Sequence, residues 1–150
     1  MPVPFRYYLR VRYGECDAQK VVFNARWADY LDIALLEFLR TIGYGEAIIK
    51  GVLDYQSVKL TLEWKAPARF DQVLELSIGA KHLGRTSFTI GVEFRIAGDD
   101  AVIVTGETVH VCVDPKTLVK MPLPADFRAA LERGAPDVTV DHAGYLAHTR

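Results

Sequence analysis

The sequence predicts an α+β domain: a curled antiparallel sheet of five strands wrapped around one long central helix, with a short second helix near the C-terminus. Three observations predict it. From Asn24 onward Trp27, Tyr30, Leu31, Ala34, Leu35, Phe38 and Ile42 recur at steps of three and four, one face of a helix. Ile33, Leu36 and Leu39 make other faces apolar too, so this helix needs cover on several sides, and a sheet is the natural wrapper. Much of the remaining chain reads with period two, in runs joined by links too short for a parallel crossover.

The first strand is expected over residues 5–13, where Phe5, Tyr7, Leu9, Val11 and Tyr13 alternate with Arg6, Tyr8, Arg10 and Arg12. A polar loop, residues 14–23, carries Asp17. Asn24 suits the N-cap of the long helix, and Gly43 suits its end, where a left-handed backbone closes the last turn. Val58, Leu60, Leu62 and Trp64 mark the second strand. Leu74 to Ala80 mark the third and Phe88 to Ile96 the fourth. Gly84 and Gly98 sit in turns that make strands three to five an antiparallel meander. The fifth run, Val102 to Val113, is apolar on both faces, which suits a strand covered on both sides. Pro124 and Gly134 bracket the short C-terminal helix. Residues 1–134 therefore read as one domain, and residues 135–150 as a tail that is partly disordered or docked on a neighbouring protomer.

Composition narrows the function classes. A chain of 150 residues, 50% hydrophobic and 25% charged, has room for one real core. The 18 basic and 19 acidic residues leave a formal charge of -1 with no block of one sign, so neither nucleic acid nor an anionic membrane is an expected partner. Residues 1–8 lack the apolar core of a signal peptide, and no stretch approaches the ~20 apolar residues of a spanning helix. A cytoplasmic protein is expected. Cys16 and Cys112 have no paired spacing, and His82, His110, His142 and His148 are scattered, so no metal site is expected.

Particular residues then carry a resemblance. Tyr13, Glu15, Asp17, Val22, Phe23, Asn24 and Tyr30 follow the order aromatic strand end, acid, Asp, Val-aromatic-Asn, helix with an early aromatic. The stretches P-A-R-F-D (Pro67 to Asp71), L-G-R-T-S-F (Leu83 to Phe88) and M-P-L-P before the last helix add to it. Across residues 5–133 the chain resembles the hot-dog fold and, more narrowly, the 4-hydroxybenzoyl-CoA thioesterase-like family of acyl-CoA thioesterases. It departs at Lys20, where the family usually has the glycine whose backbone freedom a lysine lacks.

Thioester hydrolysis needs a carboxylate that attacks the acyl carbon or activates water, and donors for the developing oxyanion. Asp17 can supply the first, one loop before a helix N-terminus whose dipole favours negative charge. Free amides around Asn24 and Ala25 can supply the second. A single Asp in such a loop is ordinarily a turn or cap residue; it is the family pattern that makes Asp17 and Asn24 catalytic candidates. Sequence leaves open whether Asp17 is nucleophile or general base. Glu15 reads as solvated or structural. Phe23, Trp27 and Tyr30 are candidates for lining the acyl pocket, although helical spacing favours core for the last two.

The resemblance implies that Arg69, Lys81 and Arg85 lie in segments used around the coenzyme A nucleotide, and that Thr86 and Ser87 lie near the pantetheine, although exposed cations are ordinarily just solvated. No cofactor is expected, since coenzyme A belongs to the substrate. Self-association to a dimer or tetramer is implied as well, with sites between protomers. Two other classes stay open, a non-catalytic acyl-CoA binding protein and, behind it, a hot-dog hydratase or dehydratase, with a purely structural interaction domain third and weakest. A hot-dog hydratase or dehydratase fits poorly, because the residue five beyond Asp17 is Val22 rather than His.

Overall fold

The computed structural model describes residues 2–148. Strand β1 (Phe5–Arg10) leads through a 3-10 turn (Tyr13–Glu15) to the long helix α1 (Arg26–Thr41) and a short helix α2 (Gly45–Ile49). Four strands follow, β2 (Asp54–Trp64), β3 (Val73–Leu83), β4 (Ser87–Ile96) and β5 (Val102–Val113), then α3 (Ala125–Arg133), β6 (Thr139–Asp141) and α4 (Tyr145–His148). They build one six-stranded sheet in the order β2-β5-β4-β3-β1-β6, antiparallel except for the parallel pair β1 and β6. This is the α+β architecture the alternation and the helical stripe predict.

One stripe of α1, formed by Trp27, Tyr30, Leu31, Ala34, Leu35, Phe38 and Leu39, is buried against the sheet. Burial of each large side chain in it is worth about 1.5–3 kcal/mol. Opposite it lie Leu74, Leu76 and Ile78 of β3 and Phe88, Ile90, Val92 and Phe94 of β4, all buried. Close approach of helix and sheet depends on Gly106: a Cβ there would stand 3.0 Å from Leu31 Cδ1 and 3.1 Å from Leu62 Cδ2. Gly43, at φ 98°, ends the helix in the left-handed region as its position predicts.

Several expectations change. The first strand stops at Arg10 rather than Tyr13, because Glu15 accepts hydrogen bonds from the Arg12 amide and guanidinium and folds the chain into the 3-10 turn. The N-cap of α1 is Ala25, with no side-chain cap bond, so Asn24 is not the cap. Ile33 is exposed, so α1 is covered on one side only in the protomer. A bulge between Ser57 and Lys59 takes Val58 out of register, and Leu60 and Trp64, on the helix-facing side with Leu62, remain exposed at an edge beyond the helix. Val109 and Val111 on the outer face of β5 are half-buried rather than covered.

The tail differs most. Instead of lying loose or on a neighbour, residues 139–141 add a sixth strand to their own sheet, pairing Arg6 with Thr139 and Tyr8 with Asp141. Asp141 accepts hydrogen bonds from the amides of Ala143, Tyr145 and Leu146, and the rings of Tyr8 and Tyr145 pack 5.1 Å apart. Its weak periodicity conceals these contacts, which pair with β1 from far along the chain.

Candidate active site

Asp17 sits on a tight loop held from three sides. Its amide donates to the Val21 carbonyl and the Lys20 amide donates to the Asp17 carbonyl, both at 2.9 Å, which closes a small hairpin. Val21 bridges to Arg69, and the Val22 amide donates to the Ala68 carbonyl, so the P-A-R-F-D segment braces the loop. Lys20 takes a left-handed backbone at φ 64°, the conformation a glycine would supply freely. The loop therefore keeps the glycine-type turn despite the lysine, at a cost of order 1–2 kcal/mol.

Under the loop stands Glu15, only 8% exposed. It accepts hydrogen bonds from the Tyr30 hydroxyl at 2.8 Å and the Arg12 amide at 2.9 Å, and it pairs with the Arg12 guanidinium. Burial alone would raise its carboxyl; the Arg12 side-chain and backbone bonds and the Tyr30 bond outweigh that and hold it below the ordinary range. Burial, and then the bond to Glu15, push the Tyr30 phenol far up. Glu15 thus takes the structural one of its two sequence readings. Arg12, which the sequence reading passed over, is its principal partner, and the i,i+3 spacing of Arg12 and Glu15 was the available signal.

The Asp17 carboxylate faces outward, accepting the Gln19 amide at 2.8 Å. It lines a cleft of about 560 Å³ with Tyr13, Cys16, Ala18, Lys20 and Phe70. Tyr13 and Phe70 meet edge to face at 5.9 Å although both are largely exposed. Phe70 is another residue that sequence reasoning missed, though it lies inside a quoted motif.

Asn24 lines a different cleft, of about 280 Å³, with Val21, Trp27, Trp64 and Pro67. Trp27 is 1% exposed and packs edge-on against Phe94 and Tyr30, so it is a core residue that floors this second cleft. Tyr30 is core outright. Phe23 is exposed, and the Arg26 amide donates to its carbonyl at 2.9 Å. Among the described residues the amides of Asn24 and Ala25 have no hydrogen-bond partner, which leaves two donors at the start of α1.

Of Arg69, Lys81 and Arg85, Arg69 lies beside the Asp17 loop, bridged to Val21. Lys81 lies on the outer sheet face, its stem across Gly91 and its ammonium 3.6 Å from Glu107. Arg85, Thr86 and Ser87 form the β3–β4 turn at the far end of the sheet: Ser87 pairs with Val111, whereas Trp64, near Asn24, pairs with Val104. There the Arg85 and Thr86 carbonyls accept the amides of Leu123 and Cys112. One protomer thus sets the backbone of Arg69 against the Asp17 loop but keeps Lys81, Arg85, Thr86 and Ser87 away from it.

Fold and loop together define a hot-dog domain with an exposed acid just ahead of its central helix. The profile of the thioesterase-like superfamily matches residues 11–131 of this chain, and the chain belongs to that superfamily. It is 28% identical over 130 residues to the acyl-CoA thioester hydrolase YbgC of Escherichia coli, covering 86% of this chain and 96% of that one. It is 25% identical to the 1,4-dihydroxy-2-naphthoyl-CoA hydrolase of Synechococcus elongatus, covering 76% and 85%. A solved gentisyl-coenzyme A thioesterase superposes with a TM-score of 0.76 at 26% identity, covering 84% of this chain and 98% of that one.

Proposed function

We propose that this protein hydrolyses acyl-CoA thioesters to the free acid and coenzyme A. The observation that carries the reading is the braced loop presenting Asp17 in an open cleft, within a chain whose superfamily match spans residues 11–131, the central helix and strands β2 to β5 included. The two clefts adjoin through the hairpin of residues 17–21; for a thioester lying across it, Asp17 supplies the carboxylate, as nucleophile or as general base, and the unpaired amides of Asn24 and Ala25 donate to the oxyanion. In the net reaction water adds its oxygen to the acyl carbon, the carbon–sulfur bond breaks, and the thiolate leaves as coenzyme A with a proton from water. No cofactor is required.

The active assembly is at least a dimer formed through β2. That strand is an eleven-residue sheet edge carrying exposed Val58, Leu60 and Trp64, the kind of edge that pairs with another chain. Antiparallel pairing with a second copy sets the Trp64 end of one protomer against the Tyr55 end of the other. The Asn24 cleft would then face the partner's Arg85, Thr86 and Ser87, which supports their role toward coenzyme A in trans. Among the described residues no helix is long and apolar enough to cross a membrane. The free thiols of Cys16 and Cys112 suit the reducing cytoplasm.

The test is thiol release from short, long and aromatic acyl-CoAs by the natural chain and by Asp17→Asn, with light scattering on both. Hydrolysis by the natural dimer that collapses in the variant supports the reading. Binding of acyl-CoA without hydrolysis by either protein replaces it with a binding module, and a monomer removes the shared site.

A further inference from the structure

We infer that Lys20 selects thioesters whose acyl group carries its own negative charge, such as a terminal carboxylate; this rests on the thioesterase reading of the Asp17 cleft. The cleft has one acid and one base on its loop. Asp17 and Lys20 occupy two corners of the same turn, joined by the Lys20 amide to the Asp17 carbonyl at 2.9 Å, yet their side chains form no ion pair with each other. Among the described residues the Lys20 ammonium has no ion-pair partner. It is exposed, and it lines the cleft. A lysine at φ 64° is held against its backbone preference, and side chains kept in that region concentrate at ligand sites.

The cleft determines which part of the substrate Lys20 meets. With the thioester carbon at Asp17, the diphosphate and the nucleotide lie a full pantetheine arm away. Lys20 is three residues from Asp17 around one turn. Its charge therefore meets an anion on the acyl side, a few bonds from the thioester. Phe70, whose amide donates to the Lys20 carbonyl at 3.2 Å, and Tyr13 supply an aromatic wall for the body of the acyl group. A volume near 560 Å³ suits a small acyl chain or a single ring.

The experiment compares matched pairs, glutaryl-CoA with pentanoyl-CoA and 4-carboxybenzoyl-CoA with 4-methylbenzoyl-CoA, on the natural chain, Lys20→Asn and Lys20→Arg. Asn accepts the left-handed backbone without the charge. The natural chain should favour the carboxylated member of each pair by about tenfold in kcat/KM, largely through KM. Lys20→Asn should bring that ratio near one and Lys20→Arg should keep it. Equal use of both members by the natural chain overturns the inference, as does a loss in Lys20→Asn that falls equally on both through kcat. The same pairs as pantetheine thioesters, which lack every phosphate, should keep the ratio; its disappearance assigns Lys20 to the nucleotide side instead. Calorimetry with non-hydrolysable thioether analogues repeats the comparison as a ratio of Kd values. If no thioester is cleaved, the catalytic reading fails while that binding ratio still decides the role of Lys20.

Discussion

The Tyr30 hydroxyl, rooted in the core stripe of α1, donates to the buried Glu15 carboxylate at 2.8 Å. Two residues beyond Glu15 the chain carries Asp17 into solvent. The exposed acid is therefore positioned by a buried one: Glu15 joins helix, 3-10 turn and loop through a single carboxylate, and its carbonyl also accepts the Phe23 amide at 2.9 Å.

Breaking that joint should cost both stability and turnover. Glu15→Gln turns one acceptor into a donor facing Arg12 and Tyr30, and should destabilise the fold by about 1–3 kcal/mol in chemical denaturation. Tyr30→Phe should cost about 1 kcal/mol, and the pair should be non-additive in a double-mutant cycle. Additive losses would mean that the two residues act separately.

Asp17→Asn should behave in the opposite way. The side chain is exposed and Asn retains an oxygen for the Gln19 amide, so the midpoint of unfolding should stay within about 0.5 kcal/mol. Thioester hydrolysis should fall by about a hundredfold or more. A single turnover in oxygen-18 water then separates the two roles: general-base attack by water puts the label in the product acid, whereas an acyl–Asp17 anhydride opened by water at the Asp17 carboxyl carbon leaves the label on Asp17 and the first product unlabelled.

Stability should drop on mild acidification. His110 is fully buried between Tyr55 and Phe88, with Ser57 at 3.1 Å from Nδ1 and Thr108 at 2.8 Å from Nε2, and burial lowers its pKa to about 4. The unfolded chain takes up the proton first, so stability should fall as pH drops from about 6.5 towards 4. Glu15 acts lower still: its stabilisation is complete above the ordinary carboxylate range and is lost as pH falls through its depressed value. The His110→Phe variant should flatten the upper window. An unchanged slope there would assign the effect elsewhere.

Lys20→Gly should stabilise the protein or leave it neutral, because relief of the left-handed strain offsets the greater freedom of an unfolded glycine, each of order 1 kcal/mol. Lys20→Val should destabilise it by about 1–2 kcal/mol, since a β-branched side chain tolerates φ 64° worst. Thermal unfolding of the two variants gives the comparison, and a Lys20→Val protein as stable as the natural one would contradict the turn geometry.

The tail should protect the edge of β1. The Arg6 amide donates to the Val138 carbonyl and the His142 amide to the Tyr8 carbonyl, both at 3.1 Å. Asp141→Ala, which removes the acceptor for three tail amides, should speed hydrogen exchange at Arg6 without changing exchange in β4. Uniform acceleration in both strands would instead indicate global destabilisation.

Much of the fold was legible because it rests on local periodicity. Trp27, Tyr30, Leu31, Ala34, Leu35 and Phe38 repeat at helical spacing, and Phe88, Ile90, Val92 and Phe94 alternate; all of them are buried. The loop with Asp17 was legible as a pattern of residue types. The burial of Glu15 was not, because an acid in a polar loop looks solvated until Tyr30, a full helical turn inside α1, reaches it. Nor was the sixth strand, whose three residues find their partner more than 130 positions earlier in the chain.

By itself the sequence determined the class of fold, the order of its helices and strands as far as α3, and the place of Asp17 ahead of the central helix, because side-chain spacing dictates which faces leave water. Tertiary structure decided what no spacing contains. It separated the Asp17 cleft from the Asn24 cleft, carried Arg85, Thr86 and Ser87 to the far end of the sheet, and bent Lys20 into a glycine's conformation. Those outcomes depend on long-range pairing and on how far one helix can cover a curled sheet, and both are set only when the whole chain has closed on its core.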